Sequence, residues 1–368
     1  MERNKRIIFL LPGYDIDTST RKCIPVGGYK VVYEYANRLA QDGYDVVLAF
    51  SHARCNYPNP LRHLYSFFGY IYRKFTGQLR AGEWFVLDSS IHKWFPYCYH
   101  RPFISFHNTD RVFATAYDTA VELNNISQVP QDNKYYLIQG YEIWRDSSDK
   151  VRASYHFGMH NIVIAPWLQD IVSESGAKST LITNGLDFHQ FSLKNPIEER
   201  SPFEVILMYH TLEQKRLQDS FAALRIVKNT IPQLHVTMFG TYEAPEDMPD
   251  WYTYHHQPMG QELCDIYNSG AIYVAASDFD GFGLTIGEAM ICGCAIACTD
   301  NGGFRCMAEH EKTALLSPVY DVEALAKNII RLITNNKLRH KIAYGGNSNI
   351  QQFSWEKSYQ KLKELIFA

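Results

Sequence analysis

Two acids one residue apart, Asp278 and Asp280, open the stretch SDFDGFGLTIGEAMICGC, and a third, Glu288, follows eight positions after Asp280. These residues support two chemistries. A D-x-D pair can hold a divalent metal against a nucleotide diphosphate. The alternative needs no metal, because the Gly-rich turn of Asp280, Gly281, Phe282 and Gly283 leads into an apolar run at helical period. The amides of Gly283, Leu284 and Thr285 would then point at an anion, helped by the helix dipole. Glu288, about one turn further in, lies on a face that can turn back toward a ribose. The metal-free reading is preferred because the helix start follows the D-x-D directly. A second D-x-D, Asp15-Ile16-Asp17, reads as a loop.

Other candidates follow apolar runs in the first half. Gly27 and Gly28 stand where a loop turns into a helix, and glycine there lets the backbone approach an anion or a sugar closely; a loop that needs positive φ explains the pair equally well. Gln139 closes KYYLIQ, and Glu142 follows three positions later. Glu142 fits a role at a bound sugar or a capping and ion-pair role. G-x-G-x-x-G is absent, against an ordinary dinucleotide enzyme. Eight cysteines are present, but Cys292, Cys294 and Cys298 sit in a small-residue helix end and a strand, with no C-x2-C pair on a turn, so reduced, buried thiols are expected rather than zinc. His255 and His256 read as a solvated pair.

The elements that must position these residues are short apolar runs alternating with amphipathic segments. RIIFLL, DVVLAF, WFVLDSS, RPFISFHN, RVFATA, KYYLIQ and NIVIAP read as strands in the first half, with FEVILMYH, LHVTMFG, IYVAAS and CAIACTD in the second. Runs of this kind separated by helices indicate parallel sheets, whose ligands sit at the carboxyl ends of the strands. The expectation is an α/β chain of two doubly wound Rossmann-like domains facing across a cleft, 1–195 and 203–350. A polar, proline-bearing linker joins them, and a final helix of about 352–368 packs back on the first. At 368 residues with 46% apolar composition, two globular domains are the expected size. A net charge of -3 gives no basic surplus for nucleic acid. The first apolar run, Ile7 to Leu11, is far shorter than the about 20 residues of a membrane span, so a cytoplasmic protein is expected.

Asp280-x7-Glu288 within D-G-F-G-L-T-I-G-E-A-M-x-C-G-C resembles the E-x7-E segment of GT-B glycosyltransferases of the retaining family-4 type. VGGYKVVYEYANRLAQDGYDV, ITNGLDFHQF, MYHTLEQK and DNGGF extend the resemblance over most of the chain. KYYLIQGYEIW and the C-terminal segment look most like the branch that includes bacterial rhamnosyltransferases of surface polysaccharides. The resemblance implies that Glu288 holds the ribose hydroxyls, that Asp280 faces the donor sugar, and that the turn amides hold the diphosphate. Lys215 matches a diphosphate-binding lysine, His210 stands where the family has arginine, and Arg216 would compensate. Gly302 and Gly303 are the expected glycine pair of the donor side. Gln139, Gly140, Tyr141 and Glu142 stand where the branch has Q-D-Y-E, and His107 is a candidate for a catalytic-side histidine.

The implied enzyme moves a hexosyl or deoxyhexosyl group from a nucleotide-diphosphate sugar to a glycan or polyprenyl-diphosphate-linked glycan. Anomeric configuration is retained, no metal or other cofactor is used, and Lys215, Asp280 and Glu142 are the catalytic candidates. A GT-B epimerase and a non-catalytic sugar-nucleotide-binding partner subunit share these features. Between Asp45 and Glu83 there is no acid, while Arg54, Arg62, Arg73, Lys74 and Arg80 are interleaved with LYSFFGYIY. The 54–80 segment therefore reads either as a peripheral contact with the inner face of the cell membrane or as a core-covering helix with solvated basic edges.

Overall fold

The computed structural model describes residues 6–16, 22–52, 60–99 and 105–367, at 60–63 by backbone alone. Arg54 and Asp17 lie outside these residues, as does the first part of RPFISFHN. Contacts divide the chain into two units, Met1–Ile182 with Tyr359–Ala368, and Thr183–Ser358.

The first unit runs β1 (Arg6–Leu11), α1 (Gly27–Gln41), β2 (Asp45–Phe50), α2 (Pro60–Phe75), β3 (His92–Trp94), β4 (Arg111–Ala114), α3 (Tyr117–Asn124), β5 (Lys134–Ile138), α4 (Ser148–Ser154), β6 (His160–Val163), α5 (Pro166–Glu174) and β7 (Thr180–Leu181). Its seven strands lie in the order β3-β2-β1-β4-β5-β6-β7, all parallel. From Ile7 to Leu11 every β1 residue is buried, as a strand covered by helices on both faces must be.

The second unit continues with β8 (Glu204–Tyr209), α6 (Leu217–Thr230), β9 (His235–Gly240), β10 (Tyr252–His256), α7 (Gly260–Ser269), β11 (Ile272–Ala275), α8 (Leu284–Ile291), β12 (Ala295–Thr299), β13 (Ala314–Ser317), α9 (Val322–Thr334), α10 (Asn336–Ile350) and α11 (Trp355–Phe367). Its sheet order, β10-β9-β8-β11-β12-β13, winds outward from β8 and β11 as the first winds from β1 and β4. The core gathers Val205, Leu207, Val236, Val274 and Ala297 of the sheet beneath Leu224, Ile329 and Leu332 of the helices.

Several expectations fail for identifiable reasons. WFVLDSS is a loop: Trp84 and the Gly82 amide donate to the buried Asp15 carboxylate, and the Asn37 side chain binds the Val86 carbonyl and the Asp88 amide. The edge strand is instead β3. Ser105–Asn108 is not a strand either, and β4 begins at Arg111. The proline-bearing stretch before β8 is tied into the second unit. Buried Arg200 donates to the carbonyls of Asn195, Gly270 and Cys292, so the units divide at Ile182/Thr183. The last residues of α11 belong to the first unit, where the Tyr359 hydroxyl and Lys363 reach Asp42 at 2.7 and 2.6 Å and Phe367 stacks on Tyr44.

The described cysteines are free. Burial pushes the Cys294 thiol up to about 12 and Cys292 higher still, which favours the neutral thiol at both positions.

Candidate active site

In a doubly wound sheet the crevice opens where strand order reverses, at the carboxyl ends of the two central strands. In the second unit those strands are β8 and β11, paired directly. The loop after β8 carries His210, Lys215 and Arg216, and the loop after β11 carries Asp278 to Gly283. The Asp278 amide donates to the Gln214 carbonyl at 3.1 Å and joins the two loops.

Lys215 and Asp280 meet there. Lys215 Nζ lies 2.6 Å from Asp280 Oδ2, with the two side chains only 22% and 13% exposed. The other oxygen, Oδ1, accepts from the Gly283 amide at 2.8 Å and the Phe282 amide at 3.2 Å. One carboxylate therefore folds the turn and holds the lysine. Gly283 caps α8 at φ 91°, a left-handed conformation that favours glycine. Its amide is thus already taken, which corrects the expectation that it points at an anion. Helix geometry leaves Leu284, Thr285 and Ile286 as the first-turn amides without an intrahelical acceptor, the Gly287 amide being the first to bond back, to the Gly283 carbonyl.

Gly303 explains the glycine pair after β12. A Cβ there would lie 2.3 Å from the Asp280 carbonyl oxygen and 3.0 Å from its Cβ. Gly303→Ala must push the Asp280 turn away, so we expect a loss of about 1–3 kcal/mol in stability, the usual magnitude of overpacking, and weaker donor binding, read by thermal melts with and without nucleotide sugar. Gly302 beside it accepts from the Cys306 thiol through its carbonyl.

Glu288 is buried, and its Oε2 accepts from the Tyr267 hydroxyl at 3.1 Å. Burial, with Glu288 beside it, holds the Tyr267 phenol well above its ordinary range, so it stays a donor. Tyr267, on α7, orients the carboxylate and carries no sequence motif. Asn301 is a second residue missed by motif reading: it donates to the Ser277 carbonyl and accepts from the Phe304 amide, holding the β11 and β12 loops together.

Two residues expected at the diphosphate, His210 and Arg216, have other partners. His210 Nδ1 accepts from the Leu212 amide at 3.0 Å, so its hydrogen sits on Nε2. Burial first, then Lys215 nearby, lowers its pKa to about 4, with Asp280 opposing in part. It is a neutral donor where an arginine cation was the model. Arg216, at φ 47°, makes a two-point ion pair with Asp219 at 2.9 and 3.1 Å and lies over the Tyr320 ring. Its compensating role is therefore occupied by a local partner. The Tyr320 hydroxyl donates to Asp278 at 2.8 Å, so the two carboxylates of the D-x-D serve different partners.

In the first unit Gly27 opens α1, and a Cβ on Gly28 would touch the Gln139 side chain at 3.4 Å. Gln139 donates to the Thr115 carbonyl at 3.3 Å. The structure brings these together at the carboxyl edge of the first sheet. Glu142 is buried there and accepts from the Tyr117 amide at the start of α3 at 3.0 Å, the capping arrangement. His107 is exposed and precedes β4, at the opposite edge from Gln139, and so does not join these residues.

Residues 190–349 match the family model of glycosyl transferases group 1. A stretch of 106 residues is 27% identical to a D-inositol 3-phosphate glycosyltransferase of Saccharomonospora viridis, spanning 29% of this chain and 25% of that protein. Another 106-residue match, also 27% identical, is to the O-antigen chain mannosyltransferase B of Escherichia coli, spanning 29% and 27% of the two chains. The matched stretch thus covers about a quarter of each relative. The crystal structure of Anabaena Alr3699/HepE in complex with UDP and glucose superposes over 99% of this chain and all of that one, with a TM-score of 0.71 at 15% identity, a likeness of fold. The segment that carries Lys215, Asp280 and Glu288 is thus similar to the glycosyl transferases group 1, and the chain has the two-sheet GT-B fold.

Proposed function

We propose that the protein transfers a sugar from a nucleotide-diphosphate donor to a glycan or polyprenyl-diphosphate-linked glycan in surface polysaccharide synthesis, retaining the anomeric configuration and using no metal. The observation that carries this reading is the convergence of Lys215 with the amide end of α8 at the β8/β11 crevice. When the glycosidic bond to the diphosphate breaks, negative charge grows on the leaving phosphate, and a fixed ammonium and helix amides stabilise that charge. Asp280 positions Lys215 until the diphosphate arrives. Glu288 is assigned to the ribose, and His210 to a phosphate oxygen through its neutral N–H. The acceptor attacks on the donor face and the leaving phosphate takes its proton, so no protein nucleophile is required. Gln139 and Glu142 are assigned to the acceptor side, and the retaining family-4 type is the class that joins these roles. An O-antigen chain mannosyltransferase among the relatives supports the polysaccharide setting.

A panel of UDP-, GDP-, dTDP- and ADP-sugars in thermal melts, followed by product analysis with a labelled donor, tests the reading. A bound donor at a hundred times its dissociation constant adds about 2.7 kcal/mol. One donor is expected to raise the melting temperature and yield product in EDTA. Activity abolished by EDTA and restored by manganese would end the metal-free mechanism. The locked Arg216 and neutral His210 favour one rival, a non-catalytic nucleotide-sugar-binding subunit, which a donor-induced shift without product would establish.

A further inference from the structure

The outward face of α2 takes no part in the donor site. The helix is anchored on its other side, where Phe67 and Ile71, with Leu79, pack on buried Tyr70, Tyr97 and Cys98, and the Tyr70 hydroxyl donates to the Phe95 carbonyl at 2.8 Å. Tyr65, Phe68, Tyr72 and Phe75 point outward instead, between 62% and 86% exposed, and Leu64 extends the row. Their spacing of three, four and three residues puts them on one stripe of the helix. Four exposed aromatic rings on one surface helix form a contiguous apolar patch of the kind that marks an interaction site.

Charge selects the partner. No acid occurs between Asp45 and Glu83, against a net charge of -3 for the chain. Arg73 and Lys74 occupy the last turn of α2, and Arg80 follows, paired to Glu83 only across 3.7 Å between exposed side chains. Lys74, Arg6 and Lys93 also line a cavity of about 520 Å³ at that end of α2. Arg6 is paired there with Asp110 and Arg80 faces Glu83, while Lys93 keeps its charge and donates to the neutral Ala81 carbonyl, so the cations that α2 itself brings to this face are Arg73 and Lys74. A second copy paired through the same stripe would set this cationic, acid-free segment against itself.

We propose that α2 lies in the surface of an anionic lipid bilayer, with Tyr65, Phe68, Tyr72 and Phe75 at the headgroup boundary and Arg73 and Lys74 on lipid phosphates. Tyrosine suits this depth because its ring is apolar and its tip is wet, and each cation near an anionic surface adds about 1 kcal/mol of attraction. The inference deepens the proposed function by bringing the enzyme to a membrane-linked acceptor, while the contact itself needs no catalysis.

Co-sedimentation with vesicles of phosphatidylcholine, alone or mixed with phosphatidylglycerol, tests it. The wild-type protein is expected to pellet with the mixed vesicles and to be partly released by salt. Phe68→Ser with Phe75→Ser, or Arg73→Gln with Lys74→Gln, should each lower partitioning about tenfold or more, with unchanged melting temperature and unchanged donor-induced shift. Wild-type protein that stays in the supernatant with mixed vesicles overturns the proposal. So do phenylalanine variants that pellet like wild type, or a dimer in sedimentation equilibrium that the same substitutions dissolve. Vesicle binding that survives without any glycosyl transfer supports this contact and counts against the proposed reaction alone.

Discussion

Lys215→Ala is expected to lower kcat about 10²- to 10³-fold, the 2.7–4 kcal/mol typical of removing one preorganised charge stabiliser, while donor affinity falls much less. The difference follows from the ground state. Lys215 is paired to Asp280 at 2.6 Å, so an arriving diphosphate gains only the excess of its attraction over that of the carboxylate. As the bond to the sugar breaks, charge builds on the phosphate and not on Asp280, and the balance shifts toward the leaving group. Two controls keep the interpretation clean. Asp280→Asn retains an oxygen for the Gly283 amide, so the turn persists, and the lysine remains; its rate loss should be smaller. The melting temperature of Lys215→Ala should stay close to wild type, because Oδ1 of Asp280 keeps its two amide donors. Steady-state kinetics with calorimetric donor binding reads the split. Equal losses in kcat and in donor affinity would place Lys215 in uniform binding instead.

What the sequence discloses here is what periodicity and local chemistry encode. β1, β2, β5, β8, β9, β11 and β12 read directly as apolar runs because both faces of a parallel sheet are covered. β10 was not legible, since its half-exposed TYHH residues show no apolar run at the sheet edge. The DGFG turn was readable because Asp280 acts within three residues of itself, on Phe282 and Gly283. Arg216 was read as a diphosphate cation because nothing in MYHTLEQKR says that Asp219 and Tyr320 will share it; Tyr320 arrives from beyond β13. His210 likewise shows its type and hides its charge, which is set by burial and by the Leu212 amide. Gly303 was legible as a glycine and not as a steric demand, because the atom it must clear belongs to Asp280. The anchoring of the stretch before β8 was hidden for a related reason: a polar, proline-bearing stretch looks like a linker whether or not an Arg200 nails it to neighbouring carbonyls.

Glu288→Ala is expected to weaken nucleotide-sugar binding by about 1.5–3 kcal/mol, the value of a hydrogen bond to a charged group, or roughly ten- to a hundredfold. The carboxylate is buried and one oxygen is oriented by the Tyr267 hydroxyl, so a ribose would meet a prepaid geometry rather than a mobile side chain. The same substitution orphans a buried phenol, adding a stability loss of about 1–3 kcal/mol that has nothing to do with the donor. Glu288→Gln and Tyr267→Phe separate the two effects. Glutamine keeps an oxygen for Tyr267 and loses the charge, so it should cost donor affinity with little change in melting temperature. Phenylalanine keeps the charge and loses only its orienting partner, so donor affinity should fall by a fraction of the alanine effect. Calorimetry on the three variants decides: if Glu288→Ala and Glu288→Gln bind the donor as tightly as wild type, Glu288 is a structural partner of Tyr267 and the ribose is held by other groups.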